Sequence, residues 1–501
     1  MPLAINNGSY WNATARTAPE FPQLSGEVNV DVAIVGGGIV GVTAARLMKD
    51  RGLSVALVEA LRVGRQVTGK STAKVTVQHN IIYTTLAEKF GEERAHLYAE
   101  AQDAGLKLIE SLAAQHNIAA DLERAPAFTW TGEEEFADRL REEAALARKL
   151  RLNYSITTET GLPFPVLAAM RTDDQAQFQP VDFVAGLAAT IPGRGCHVFE
   201  HSRVTDWDTD RVQTDAGTVR ARHVLMATNL PLGQTGAYFA RTKPKAEPMA
   251  AAPVAQDVGG MYICAEQPKW SVRTHRNGDG KLYAVAVGEE FKPGHTEDQN
   301  THFDALAGWL NRHFRPESIT HRWVNEDYTA MDQAPFVGWS TAGPGGYLVA
   351  TGFDAWGLTN GAASAIMLTE LATGNDHPWL ALFRADRVKP VEGGKEFAEA
   401  QASAAEHLAK RFLSSRHESF DRLAPGQAEV LDIEGENVAA YKDENGVVHA
   451  VSAVCTHMGC LVGWNGVDHS WDCPCHGSRF AVNGEVLHGP AVGPLKSRIG
   501  E

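Results

Sequence analysis

Two short segments near the C-terminus constrain this chain more than anything else in it. Cys455-Thr456-His457-Met458-Gly459-Cys460 is followed, after twelve residues, by Cys473-Pro474-Cys475-His476-Gly477-Ser478. Each segment presents a Cys, a His and a second Cys on one turn, so a metal centre shared by the two pins one loop against the other. Four of the six cysteines lie here. In a chain with no export signal, Cys clustered beside His is more often metal-binding or redox-active than a disulfide framework. Thiolates suit ferric iron and neutral imidazoles can hold a second iron, giving a 2Fe-2S centre with two Cys on one iron and two His on the other. The alternative is a zinc ion held by two Cys and two His. It leaves the second Cys pair and the Gly477-Ser478 segment without a part. Cys196 and Cys264 stand alone and read as small apolar residues.

A second constellation lies near the other end. Val30-Asp31-Val32-Ala33-Ile34-Val35 reads as a short buried strand, Gly36-Gly37-Gly38-Ile39-Val40-Gly41 as a turn, and the amphipathic run to Asp50 as a helix. The next apolar run, Ser54 to Val58, ends at Glu59. A G-x-G-x-x-G turn alone is weak, but here it follows a strand, opens a helix and precedes an acid at the end of the next strand. Gly36 permits the tight turn, Gly38 the approach of a pyrophosphate to the helix N-terminus and Gly41 close helix-to-strand packing, while Glu59 binds ribose hydroxyls. FAD and NAD fit equally at this point.

Between these ends the pattern is mixed. Helical spacing predicts helices over 84–114 and 133–150, and 198–229 and 248–292 read as strands, with a hairpin turn at Asn277-Gly278-Asp279-Gly280. Tyr347 to Gly352 is another buried strand, followed by a small-residue helix from Gly357 to Thr373. A Glu, Ala, Lys and Arg-rich segment then leads to a terminal stretch of short strands and turns. The expected organisation is residues 1–388 for interleaved cofactor and substrate domains, 389–421 for a helical linker and 422–501 for a small all-β module. The fold class is an α/β Rossmann-type domain with an α+β substrate domain plus that module. A formal net charge of −15 argues against a general nucleic-acid binder. No run approaches the length of an apolar membrane span, and no basic and apolar leader opens the chain, so the expected compartment is the cytoplasm.

The C-terminal module resembles the Rieske family. The resemblance implies that Cys455 and Cys473 hold one iron, His457 and His476 the other, and that Cys460 and Cys475 form the disulfide that ties the two loops together. It also implies that Gly489-Pro490-Ala491 covers the cluster and that Ser478 donates to a sulfur. Phe480 stands where the highest-potential members carry a tyrosine donor, which predicts an intermediate potential.

Residues 28 to 385 resemble the D-amino-acid-oxidase superfamily, which includes glycine and sarcosine oxidases. The likeness rests on the dinucleotide turn, on Thr68-Gly69-Lys70-Ser71-Thr72-Ala73-Lys74, and on Gly352-Phe353-Asp354-Ala355-Trp356-Gly357-Leu358-Thr359. It implies FAD, with Ser71, Thr72 and Lys74 near the flavin. Val204 would contact the adenine, Thr228 would lie beneath the cofactor, and Gly352, Gly357, Leu358 and Thr359 would bring a helix N-terminus to the ring's pyrimidine edge. No Cys lies between Cys264 and Cys455, so the flavin is expected to be non-covalent. Arg273, His275, Lys74 and Trp356 are the candidate catalytic side chains, with Lys245 and His79 as further candidates beside the flavin; for each the alternative is an ordinary packing or surface role.

A flavin takes two electrons at once and a Rieske cluster handles one. Their combination implies oxidation of a C–N bond in a small amine or amino acid, with electrons leaving singly to an external acceptor. The alternatives are a partner-fed reductase or oxygenase running the other way, and a redox sensor or electron-transfer adaptor without turnover. A Rieske non-heme oxygenase needs a two-His-one-carboxylate iron site, and the sequence has no matching helical run.

Overall fold

The strand Gly26–Val35 starts polar and half exposed and ends in four buried residues, Val32 to Val35, because its second half lies between parallel neighbours at the centre of a mixed sheet. It pairs in parallel with Val55–Val58 on one side and, over almost its whole length, with Gly217–Met226 on the other. The sheet runs in the order Phe336–Trp339, Leu348–Thr351, Gly217–Met226, Gly26–Val35, Val55–Val58, His197–Phe199. Strands buried on both faces read as continuous apolar runs, as Val55–Val58 does. The helices Ile39–Asp50 and Gly357–Ala372 pack together beside this sheet. Gly361 allows their approach, since a Cβ there would stand 2.9 Å from a methyl of Ile39.

The computed structural model describes residues 5–16, 18–294, 299–341, 345–387 and 419–498. The helical linker expected at 389–421 falls almost wholly on 388–418, outside the described residues; the chain resumes at a short 3-10 turn, Phe420–Arg422, which Ser419 caps. The single helix expected over 84–114 is two, Tyr83–Phe90 and Glu92–Gln115. They break at Gly91, whose φ of +90° is open to glycine at little cost.

The substrate domain is a second, ten-stranded sheet. Its longest pairing joins Thr242–Pro253 to His321–Ala330 in antiparallel register. Ser271–Arg276 and Leu282–Val287 form the hairpin expected around Asn277. The Asn277 side chain accepts from the amides of Asp279 and Lys281.

The C-terminal domain is all β, with one three-stranded sheet (Ala428–Ile433, Glu436–Lys442, Val448–Ser452) and one four-stranded sheet (Gly463–Asn465, Ser470–Asp472, Arg479–Ala481, Val486–His488). Its core holds Trp471, Phe480 and the cluster cysteines. The domain sits against the substrate sheet, where Val467 is buried among Ala246, Phe303 and Val324. Among the described residues no helix is long and apolar enough to cross a membrane.

Candidate active site and cluster site

The glycine turn forms a cradle that side chains would fill. Gly36 has φ +105°, and a Cβ on it would stand 2.5 Å from the Ala227 carbonyl oxygen; one on Gly41 would stand 2.0 Å from the Gly36 oxygen. The helix that follows begins at Gly38, which has no side chain to cap it; Thr68 Oγ1 accepts from the Ile39 amide at 3.1 Å, and the positive end of the helix dipole faces a cavity. Glu59 borders the same cavity. Its carboxylate accepts from the amides of Gly37 at 2.7 Å and Leu61 at 2.8 Å, and burial raises its pKa. Ser71, Thr72, Val204, Thr228, Gly357 and Leu358 complete much of the wall.

A second helix end enters this cavity. Gly357–Ala372 starts after Trp356 with no acidic residue in its first turn. The turn before it carries two left-handed residues, Asp354 and Ala355, at φ +50° and +68°. Such a turn needs outside support, and it has it. The Ala355 amide donates to the Asp327 carboxylate, and Asp354 accepts from Thr329 Oγ1 and is paired with Lys245 Nζ, both at 2.7 Å. Burial pushes Asp327 up to about 7. It pushes Asp354 the same way, but Lys245 overrides it and leaves Asp354 at about 2.

Gly41 packs helix on strand, the part its place in the turn implies. Two expected cofactor residues do not line the cavity: Gly352 turns the chain at φ +80°, and the Thr359 hydroxyl is bonded to Thr76 O at 3.2 Å, tying the helix to the Lys74–His79 segment.

Ser71, Thr72, Lys74, Asn325, Ala355 and Trp356 border this cavity and also a second one of about 400 Å³. Lys74 is 9% exposed, and its Nζ donates to Tyr262 O at 2.6 Å and to Ser271 Oγ. No carboxylate pairs with it among the described residues, and burial, helped by Arg273, lowers it to about 7. Trp356 stacks on His79 at 4.5 Å. His79 Nε2 faces Thr76 O at 2.8 Å and Nδ1 faces the Tyr98 hydroxyl at 2.7 Å, and burial holds the ring neutral with a pKa of about 3. Lys245, also on this wall, is surrounded by Asp354, Glu247 and Glu290.

Arg273 and His275 lie elsewhere, which corrects the expectation that they face the substrate. They share a sheet face with Ser271, but the short N-terminal helix Tyr10–Thr14 covers that end of it. The Arg273 guanidinium stacks over Trp11 at 4.6 Å and donates to Thr72 O and Phe178 O; His275 Nδ1 meets the Tyr10 hydroxyl at 2.9 Å. Neither borders either cavity. The residues that sequence reading passed over are on His321–Ala330, chiefly Asn325 and Asp327. The signal was present: Asn325-Glu326-Asp327 lies between Trp323-Val324 and Tyr328, and all three are buried.

In the C-terminal domain the two loops meet as the Cys and His spacing demands. Cys460 and Cys475 are disulfide-bonded, while the Cys455 and Cys473 sulfurs are free and in contact. Backbone amides of His457 and Met458 reach the Cys455 sulfur, and those of Cys475 and His476 reach that of Cys473. The His457 and His476 rings lie 5.0 Å apart, and the Nδ1 atom of each is buried without a hydrogen-bond partner. Two sulfurs and two orphaned imidazole nitrogens are the donor set of a 2Fe-2S cluster of Rieske type, so the residues fit the group. The amides supply hydrogen bonds that a thiolate-bound cluster favours. His457 Nε2 lies 3.2 Å from Gly233 O, and Phe239 packs edge-on against both imidazoles, so the flavin domain covers the histidine side of the site.

A dinucleotide cradle with two helix N-termini beside a second cavity, joined to a mixed Cys and His iron site, defines a flavoprotein oxidoreductase with a Rieske centre. Comparison with known proteins agrees. Residues 31–371 match the family described as FAD dependent oxidoreductase, and residues 417–498 match the Rieske [2Fe-2S] domain. The chain belongs to that FAD-dependent family, and FAD and a 2Fe-2S cluster are its cofactors. It is 32% identical over 494 residues to the Rieske 2Fe-2S iron-sulfur protein YhfW of Bacillus subtilis (strain 168), covering 97% of each chain. Its fold is similar to those of glycine oxidase from Geobacillus kaustophilus (TM-score 0.61, 18% identity, 72% of this chain and 100% of that one) and L-proline dehydrogenase from P. horikoshii (0.58, 16%, 73% and 98%).

Proposed function

We propose that this chain is a dehydrogenase that oxidises a C–N bond of a small amine or amino acid and passes the electrons singly to an external carrier. The observation that carries this reading is the shared wall: a cavity of about 400 Å³ meets the flavin cradle at Lys74 and Trp356. That volume is in the range of small-molecule sites. FAD supplies the two-electron acceptor and the cluster a one-electron carrier.

The chain's own part is proton handling and positioning. An amine is protonated near neutral pH and must lose that proton before its C–N bond can be oxidised. With a pKa of about 7, Lys74 is poised to accept it at Nζ. Its bonds to Tyr262 O and Ser271 Oγ use two N–H groups and leave a lone pair when the amine is neutral. The carboxylates around Lys245 offer acceptors for a substrate ammonium, and the stacked Trp356 and His79 form a flat apolar wall. The glycine oxidase and L-proline dehydrogenase folds lend support, since each of those proteins is named for an amino acid. No Cys borders either cavity among the described residues, which supports non-covalent FAD; acid precipitation should leave the yellow colour in the supernatant.

The test is anaerobic addition of a panel of amines and amino acids, following flavin absorbance and the low-temperature electron paramagnetic resonance of the cluster together. Bleaching by one compound followed by the reduced-cluster signal is the expected result. Reduction of both centres by dithionite alone would remove the reading and favour a partner-fed or sensing role.

A further inference from the structure

The flavin cavity has a wall that the nucleotide motifs do not supply. Leu487, His488, Gly489, Ala491 and Val492 of the Rieske domain border it. His488 brings an Nε2 atom that is buried and without a hydrogen-bond partner, which is the mark of a donor or acceptor awaiting a ligand. The segment is fixed on its other sides. The Gly233 amide donates to Pro490 O at 2.9 Å, the Ala491 amide donates to Ser478 Oγ at 3.0 Å, and Leu232 comes within 3.1 Å of a Cβ built on Gly489. One face of this short stretch therefore touches the cluster cradle through Ser478, and the other faces the flavin cavity.

We propose that residues 487–492 are part of the FAD site, and that docking of the Rieske domain and retention of FAD stabilise each other. With the domain seated, its apolar segment closes the cavity to water and His488 offers a polar contact to the cofactor. With the domain displaced, that wall is lost and the cavity opens. A ligand that binds one arrangement better than another stabilises it, and the coupling is reciprocal. The docked arrangement is built for this, because Val467, buried among Ala246, Phe303 and Val324, holds the domain at a point outside the cavity wall. The coupling does not depend on which substrate the enzyme takes.

The experiment uses the full chain with its cluster, stripped of FAD and then reloaded. Hydrogen exchange with and without FAD should show protection both at 36–41 and at 487–492. Leu487→Arg, and separately Val467→Arg, should raise the FAD dissociation constant, read from fluorescence of the free cofactor, by about tenfold. The cluster's paramagnetic signal should be unchanged in Leu487→Arg. Protection by FAD at 36–41 with none at 487–492 would overturn the proposal. So would a Leu487→Arg variant that binds FAD as tightly as the parent.

Discussion

The hydroxyl of Tyr328, on the strand His321–Ala330 of the substrate sheet, donates to the backbone carbonyl oxygen of His476 at 3.1 Å. It also lies 3.5 Å from the oxygens of Gly477 and Gly489. His476, whose imidazole fits the cluster's donor set, and the Gly489 loop are thus held by a residue next to Asp327, which supports the turn before the helix Gly357–Ala372. Tyr328→Phe deletes this bond and leaves buried carbonyls unpaired, at a cost of about 1–3 kcal/mol. The expected result is loss of cluster absorbance at a melting temperature several degrees lower, with the dinucleotide domain's circular dichroism unchanged. An unaltered melt would show that the carbonyls find other partners.

The same interface holds a cluster of buried charges. Arg479 lies 3.0 Å from Asp472, 2.8 Å from Asp468 and 3.3 Å from Glu326, and Lys70 lies 3.3 Å from Asp468. Three carboxylates share two cations, and the Glu326 carboxylate accepts no hydrogen bond. Burial therefore wins over Arg479 there, and its pKa rises to about 8. A raised carboxyl binds more protons folded than unfolded between its ordinary range and about 8, so the folded state loses stability as pH rises through that window. Glu326→Gln should flatten this dependence in melts between about pH 5 and pH 9, and should stabilise most at the alkaline end. A parallel decline in variant and parent would place the dependence on another group.

The glycine turn, the acid at Glu59 and the Cys and His loops were legible in the sequence because each rests on local spacing. The turn needs Gly36 where φ is +105° and Gly41 where a Cβ has no room, and such requirements leave a short mark. The substrate wall left none. Arg273 and Ser271 alternate identically along one strand, and only the covering helix at Tyr10 and Trp11, distant in sequence, decides which of them meets the cavity. The wall that Leu487 and His488 add to the flavin cavity depends on docking between domains, which no local pattern encodes.

Phe480 tests how the cluster site is tuned. It is fully buried in the domain core beside the cluster cysteines. A hydrogen bond to a cluster sulfur stabilises the reduced, more negative state, and about 1.4 kcal/mol of such preference corresponds to ~59 mV for one electron. Phe480→Tyr should raise the midpoint potential by an amount of this order, measured by redox titration of the paramagnetic signal. A potential that stays put would mean that the new hydroxyl does not reach a sulfur.

Lys74 makes opposite demands on stability and on rate, and this separates catalysis from packing. Its pKa falls from the ordinary lysine range to about 7 in the folded protein. Between about 7 and 10.5 the unfolded chain binds the extra proton, so folding stability rises with pH across that window, and below it the buried charge is carried in full. Lys74→Met removes the burden and should be more stable than the parent below about pH 10, with a flatter profile. If Nζ accepts the substrate proton, the same variant should lose about 10²- to 10⁴-fold in the rate of flavin bleaching by substrate. It should also lose the rise in that rate through about pH 7 that the parent is expected to show. A variant that gains stability yet keeps the parental rate and pH profile would reduce Lys74 to a strut between Tyr262 and Ser271, and the base would have to be sought among the substrate's own groups or the carboxylates around Lys245.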